Sequence, residues 1–196
     1  SQENTLDAAA DSTGKVFSLP QIDGLSPTYF LVLRLEDSTG KLVGSNFYWL
    51  STKPETLDWE KSNWYTTPTE SYADYTALSQ LPKVKLKVTS HTEFHGRDAT
   101  VHVTVENPSK SLAFFVRLKV NRAKPIGQRM SGSSPQNPNM AADSMSMERE
   151  EILPVLWDDN YISLLPGEKR DVTARYRVSV VGASNPSVAV SGWNLE

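Results

Sequence analysis

The sequence predicts an all-β protein, and three observations carry that prediction. Apolar residues alternate with polar ones in short runs, as in Leu31, Leu33, Leu35, in Val101, Val103, Val105, and in Val172, Ala174, Tyr176, Val178. A period of two belongs to a strand with one wet face. The runs are separated by turn chemistry, Asp37–Lys41, His95–Asp98 and the pair Pro166-Gly167, where Pro presets φ and Gly accepts φ > 0. Residues 83–196 hold seven such strands, which fits an immunoglobulin-like β-sandwich of about 100 residues once a long insert is set aside. The expected architecture is this sandwich preceded by an incomplete second sandwich and an aromatic-rich connector.

Residues 1–14 are small and polar, a lead-in, and Lys15–Leu19 is a candidate short strand before the loop Pro20–Pro27. Tyr29–Glu36 is a strand with Leu31, Leu33 and Leu35 on one face, and Val43–Ser51 returns after the Asp37–Lys41 hairpin turn, carrying Phe47, Tyr48, Trp49 and Leu50. So few strands with such apolar faces cannot bury themselves, and they leave an open edge. Residues 1–52 are therefore expected to be the C-terminal part of an immunoglobulin-like domain whose first strands lie upstream or in another chain. Residues 53–82 lack strand alternation and are expected to be a connector, with a helical turn around Tyr72–Leu78. Its aromatics Trp59, Trp64 and Tyr65 are expected to lie on a neighbouring surface.

Strand grammar resumes at Lys83, and residues 83–196 are expected to form a complete sandwich. Val84, Leu86 and Val88 alternate with lysines. Val101–Val105 follow the His95–Asp98 turn, and Phe114, Val116, Leu118 and Val120 mark the third strand. Ile152–Trp157 and Tyr161–Leu165 are the next two, separated by Asp158, Asp159 and Asn160; Asp171–Val181 and Ser187–Trp193 complete the set. The insert, residues 123–151, is rich in Ser, Pro, Asn and Gln and holds all four methionines, Met130, Met140, Met145 and Met147. Its composition cannot form a core, so it is expected either to move or to lay its methionines on a neighbouring surface.

Bulk properties exclude several function classes. Twenty basic residues against 23 acidic ones give no global field for nucleic acid or anionic lipid, so neither partner is expected. No run of about 18 apolar residues suggests a membrane span. The first fifteen residues have neither a basic nor an apolar region of a signal peptide, and the missing initial Met suggests a processed or excised chain. Without cysteine there is no disulfide framework and no thiolate metal site. Asn107-Pro108-Ser109 and Asn185-Pro186-Ser187 are near-sequons that Pro blocks.

Candidate chemistry is sparse. Acid–base catalysis by a carboxyl pair needs both groups held facing one another across the substrate. Asp158 and Asp159 point apart on extended backbone, and are expected to cap their turn through Asx hydrogen bonds. Glu150 and Glu151 sit at the end of the insert, where nothing is expected to hold a geometry. His91 and His95 flank a turn with no third ligand near them, and His102 falls on the solvated parity of its strand, so no metal site is expected. No nucleophile elbow or phosphate loop is present. The residues suited to contact are aromatic or lie beside aromatics: Trp59, Trp64, Tyr65, the stretch Trp157, Asp158, Asp159, Asn160, Tyr161, and Trp193. Such rings stack on sugar faces or pack against another domain, and packing is the commoner use.

The stretch from Ile152 to Glu168 (ILPVLWDDNYISLLPGE), Val172–Tyr176 and the closing VSGWN at 190–194 resemble the C-terminal immunoglobulin-like domain of glycoside hydrolase family 2, in the branch of exo-β-D-glucosaminidases and plant-type endo-β-mannosidases. Residues 45–68, Tyr72–Asp74 and Leu78–Leu81 resemble the end of the preceding domain and its connector. The resemblance implies an enzyme in which a (β/α)8 barrel carries two catalytic glutamates and two immunoglobulin-like domains follow it. The catalytic glutamates have no matching positions here. The chain departs from the family in its longer insert and in a start that falls inside a domain. Its implied role is that of a non-catalytic accessory region whose partners are the barrel and preceding domains of one polypeptide that hydrolyses β-glucosaminides or β-mannosides. No cofactor is implied, and related glycosidases are secreted, periplasmic or vacuolar. The alternative is an autonomous carbohydrate-binding or adhesion module that takes oligosaccharide. The aromatic residues keep both readings open.

Overall fold

Alternating sequence becomes strand wherever a partner edge is available. In the computed structural model, which describes residues 2–7, 9–124, 148–178 and 186–196, the chain divides into two compact units, Ser1–Leu78 and Ser79–Glu196.

In the first unit β1 (Thr28–Glu36) and β2 (Leu42–Ser51) form an antiparallel pair with Thr28 opposite Ser51 and a register shift at Leu35/Glu36. Asp37 builds the turn. Its Oδ1 accepts the Thr39 and Lys41 backbone N–H groups at 2.8 and 3.0 Å and the Thr39 hydroxyl at 2.6 Å. These bonds, the Thr39 hydroxyl foremost, hold its carboxyl below the usual 3.8. Gly40 follows at φ 80°. Lys15–Leu19 is not a strand: Val16, Phe17 and Leu19 are exposed, and no described strand offers them a ladder. The connector is more ordered than its composition suggests. β3 (Thr56–Leu57) pairs with β4 (Thr69–Ser71), and the helical turn falls at Thr76–Gln80 as a 3₁₀ helix. Asp74 caps that turn by accepting the Thr76 N–H at 3.0 Å, and its backbone is tied to Thr28 and Ser51.

The second unit is an immunoglobulin-like sandwich. One sheet has the order β5 (Lys87–His95), β6 (Asp98–Glu106), β11 (Lys169–Arg177), β9 (Leu156–Trp157). The other has β10 (Ile162–Leu164), β7 (Ala113–Lys124) and β12 (Ser187–Ser191), with β8 (Glu148–Glu151) also on β7. Val101, Val103 and Val105 of β6 and Val172 and Ala174 of β11 meet Val116, Leu118 and Val120 of β7 and Ile162 and Leu164 of β10 in a single core. Each such aliphatic side chain contributes about 1.5–3 kcal/mol on burial. Gly96, at φ 62°, stands first in the two-residue loop between β5 and β6, as a type II′ hairpin requires. Gly167 at φ 76° follows Pro166 in the predicted turn, closed by Glu168 N–H donating to Leu165 C=O at 3.0 Å.

Two buried asparagines lock the ends of the sandwich. The Asn107 amide donates to the Ser111, Leu164 and Leu165 carbonyls at 2.8, 2.9 and 3.2 Å, and its Oδ1 accepts from Ser109. Asn194 donates to the Pro82 and Leu112 carbonyls and accepts the Phe114 N–H at 2.9 Å. Both satisfy backbone groups in loops and at strand ends, as buried polar backbone requires.

The stretch 152–165 differs from the two plain strands expected of it. After Ile152, whose N–H donates to Val120 C=O at 2.8 Å, the chain leaves the β7 edge and crosses to the opposite sheet. There Leu156 and Trp157 pair with Arg175 and Ala174. The chain returns at Asn160, whose side-chain amide accepts the Leu118 N–H at 2.8 Å and donates to the Leu118 C=O at 3.0 Å. One side chain thus fills the ladder position that the excursion leaves open. The insert is also shorter than 123–151: residues 123–124 continue β7, and 148–151 form β8 against residues 121–124. Its four methionines lie outside the described residues.

Candidate functional site

Strained backbone marks one surface of the sandwich. Phe115 and Tyr161 sit at φ 55° and 56°, a region costly for bulky residues and commonest where function or a bulge demands it. The cause at Phe115 is visible in the register: Ile162 faces Val116 while Leu164 faces Ala113, so β7 carries an extra residue there. The bulge turns Phe115 outward beside Tyr161, with ring centroids 5.1 Å apart. Phe114, itself buried, touches Phe115 on one side and Trp193 on the other, at 5.8 and 6.4 Å. Arg117 lies 5.9 Å from the Tyr161 ring centroid and is held by Glu151 at 3.1 Å. Phe115, Tyr161 and Trp193 are each exposed, and with Phe114 they form a chain of tilted and edge-to-face rings with the Arg117 cation over Tyr161.

Of the residues singled out in the sequence, Tyr161 and Trp193 join this surface, through Phe115 and Phe114. Trp157 does not: it is half-buried and packs on the core, while its neighbour Leu156 is exposed. Asp158 makes no local Asx turn. It reaches across to β11, accepting the Thr173 N–H and hydroxyl at 2.8 Å each. Asp159 meets Arg170 at 3.5 Å, and Asn160 serves Leu118 as described. Glu150 and Glu151, expected to be unheld, are ion-paired with Arg122 at 2.9 Å and with Arg117 and Lys119. Successive strand residues face opposite ways, so these carboxylates do not converge.

In the first unit Trp59, Trp64 and Tyr65 ride on the β3–β4 loop, 71%, 92% and 72% exposed. The loop is stiffened from within. Asn63 Oδ1 accepts the Tyr65 and Thr66 N–H groups, and Asp58 pairs with Lys61, which lowers the Asp58 carboxyl below 3.8. Trp64 and Tyr65 meet edge to face at 4.7 Å. This is a preorganised apolar loop tip rather than a frayed one.

Sequence reasoning missed Phe115, Arg117 and a histidine cluster. Phe115 carries no signal in the sequence, because the bulge that strains it depends on pairing with β10. His91 and His95 were expected to have no third ligand nearby, yet cross-strand pairing sets His91 directly opposite His102, with Glu93 beside both. These residues stand on the solvent side of β5 and β6, where His91 and His102 line a trough of about 400 Å³ together with Thr89, Thr104, Asp171 and Thr173.

Comparison with known proteins agrees with the immunoglobulin-like fold. A family model described as the exo-beta-D-glucosaminidase Ig-fold domain matches residues 64–132 and 138–195. An exo-beta-D-glucosaminidase of Streptomyces avermitilis is 39% identical over 96% of this chain, and one of Amycolatopsis orientalis is 38% identical over 90%. The chain spans only 19% and 15% of those two relatives' lengths. A mannosylglycoprotein endo-beta-mannosidase of Lilium longiflorum is 28% identical over 50% of the chain. The crystal structure of the Amycolatopsis orientalis exo-chitosanase CsxA superposes with a TM-score of 0.74 at 36% identity, covering 92% of this chain and 19% of that one. On the strength of a family match over most of its length and of relatives near 40% identity, the chain belongs to the immunoglobulin-fold domain family of the exo-β-D-glucosaminidases.

Proposed function

We propose that this chain is the accessory, non-catalytic part of a larger glycoside hydrolase, and that it braces a catalytic barrel through its aromatic surfaces. The observation that carries the reading is the Phe115–Tyr161–Trp193 surface, where rings stand exposed on strained backbone instead of in the core. Strain at two bulky residues is retained only where something offsets it, and burial of three aromatics against a neighbouring domain does so. The Trp64–Tyr65 loop tip is a second contact of the same kind. The parent activity proposed is hydrolysis of β-D-glucosaminides rather than β-mannosides. In support, the glucosaminidase relatives align along nearly the whole chain, whereas the mannosidase aligns over half of it.

The test has two arms. The purified chain, given a nitrophenyl β-D-glucosaminide or β-mannoside, should show no turnover, and chitosan oligosaccharide should give no heat in titration calorimetry. Joined to a glucosaminidase barrel, it should raise the barrel's thermal midpoint, and Tyr161→Asn should reverse much of that gain. Turnover traced to this chain's own carboxylates would refute the reading. Saturable oligosaccharide binding that Trp64→Ala abolishes would replace it with a carbohydrate-binding module.

A further inference from the structure

Every imidazole of the chain stands in one place, since its three histidines are His91, His95 and His102. The β5–β6 ladder pairs His91 with His102, and their rings stack at a centroid distance of 4.7 Å with an interplanar angle of 11°. Glu93, two residues on along β5 and therefore on the same face, sets one carboxylate oxygen 3.6 Å from His91 Nε2 and the other 3.7 Å from His102 Nε2. Those separations are too long for hydrogen bonds. They are close to the edge of a coordination tetrahedron, about 3.3 Å for metal–ligand bonds of about 2.0 Å. One ligand atom from each residue lies within 4.8 Å of the others, and rotation of the exposed side chains closes the remaining gap.

We propose that His91, His102 and Glu93 bind a single borderline divalent transition ion, of which zinc is the representative. Two imidazoles and a carboxylate are a ligand set that suits zinc, nickel and copper and leaves magnesium and calcium poorly served. The open positions face solvent, where water completes the coordination. The strands hold two ligands in register before any ion arrives, so little ordering is needed. The bound ion links β5 to β6 on the outer face of the sheet and stabilises the folded form by mass action.

Histidine placement also sets the control. His95 approaches the same Glu93 oxygen that faces His102, at 3.6 Å, but it lies at the hairpin end opposite Asp98 and outside the triad whose ligand atoms converge. Zinc chloride is titrated into the tag-free chain by calorimetry, with thermal unfolding followed in parallel. One ion per chain should bind saturably and raise the unfolding midpoint, whereas magnesium chloride should produce neither effect. His102→Ala and Glu93→Gln should each weaken zinc at least about tenfold, and His95→Ala should leave affinity within about twofold of the parent. All three positions are solvent-facing, and circular dichroism of each variant establishes that the sandwich is intact. Absence of zinc binding by the parent chain overturns the proposal. So does equal binding of magnesium, or loss of binding in His95→Ala with retention in His102→Ala.

Discussion

At the scale of single residues, two asparagines do more for this fold than their place in the sequence suggests. Asn107 reads as part of a blocked glycosylation site, and Asn194 as the last residue of the closing VSGWN stretch. Both are fully buried and hold backbone groups of segments far apart in the chain. The sequence cannot indicate which distant carbonyls need a donor, because that follows from where the strands end in space. Asn107→Ala should lower unfolding stability by about 2–4 kcal/mol, since the Ser111 and buried Leu164 carbonyls lose this donor and Leu165 keeps only the Glu168 N–H. Chemical denaturation of the purified variant measures this. A loss below about 0.5 kcal/mol would mean that water replaces the amide without cost. Tyr176 is the contrary case. Among the described residues its hydroxyl is buried without a partner, and burial pushes its pKa above 10.0.

At the scale of elements, alternation located β1, β2, β6 and β11 because each lies beside a partner along its length, and β6 and β11 also bury one face. It misjudged the short elements. β3, β4 and β9 contain two or three residues apiece, too few to display a period, and they exist because a neighbouring edge accepts them. Lys15–Leu19 fails for the converse reason, as apolar residues without a described edge to join. The excursion of residues 153–159 from one sheet to the other depends on a side chain acting as backbone at Asn160. Asn160→Ala should therefore open the β7 ladder at Leu118. The Leu118 amide should exchange with deuterium faster than its neighbours Val116 and Val120, and stability should fall by about 1–3 kcal/mol. Unchanged exchange at Leu118 would show that another group takes over the bond.

At the scale of the whole molecule, the exposed aromatics distinguish this chain from a self-sufficient sandwich. Contiguous exposed apolar surface on a folded protein marks contact with something else. Phe115→Asn with Tyr161→Asn isolates that role, because Asn tolerates the left-handed backbone at both positions. The double variant should retain or raise its unfolding midpoint while binding an apolar fluorescent dye more weakly than the parent chain. A marked fall in midpoint would instead assign the two rings to the stability of the sandwich itself. The candidate surface was half legible in the sequence. Tyr161 and Trp193 stood out by type and position, but Phe115 and Arg117 join them only through the β7 bulge and the Glu151 ion pair.

The sequence by itself determined the class of fold, the positions of β1, β2, β6 and β11 and the main turns, and the family. All of these depend on local periodicity or on residue order, which a linear string preserves. Tertiary structure alone decided which strands share a sheet, where a chain segment changes sheets, and which side chains meet across a ladder. His91 and His102 are eleven positions apart along the chain, and only the β5–β6 register stacks them beside Glu93. Register is a property of two strands at once, so neither strand read singly contains it.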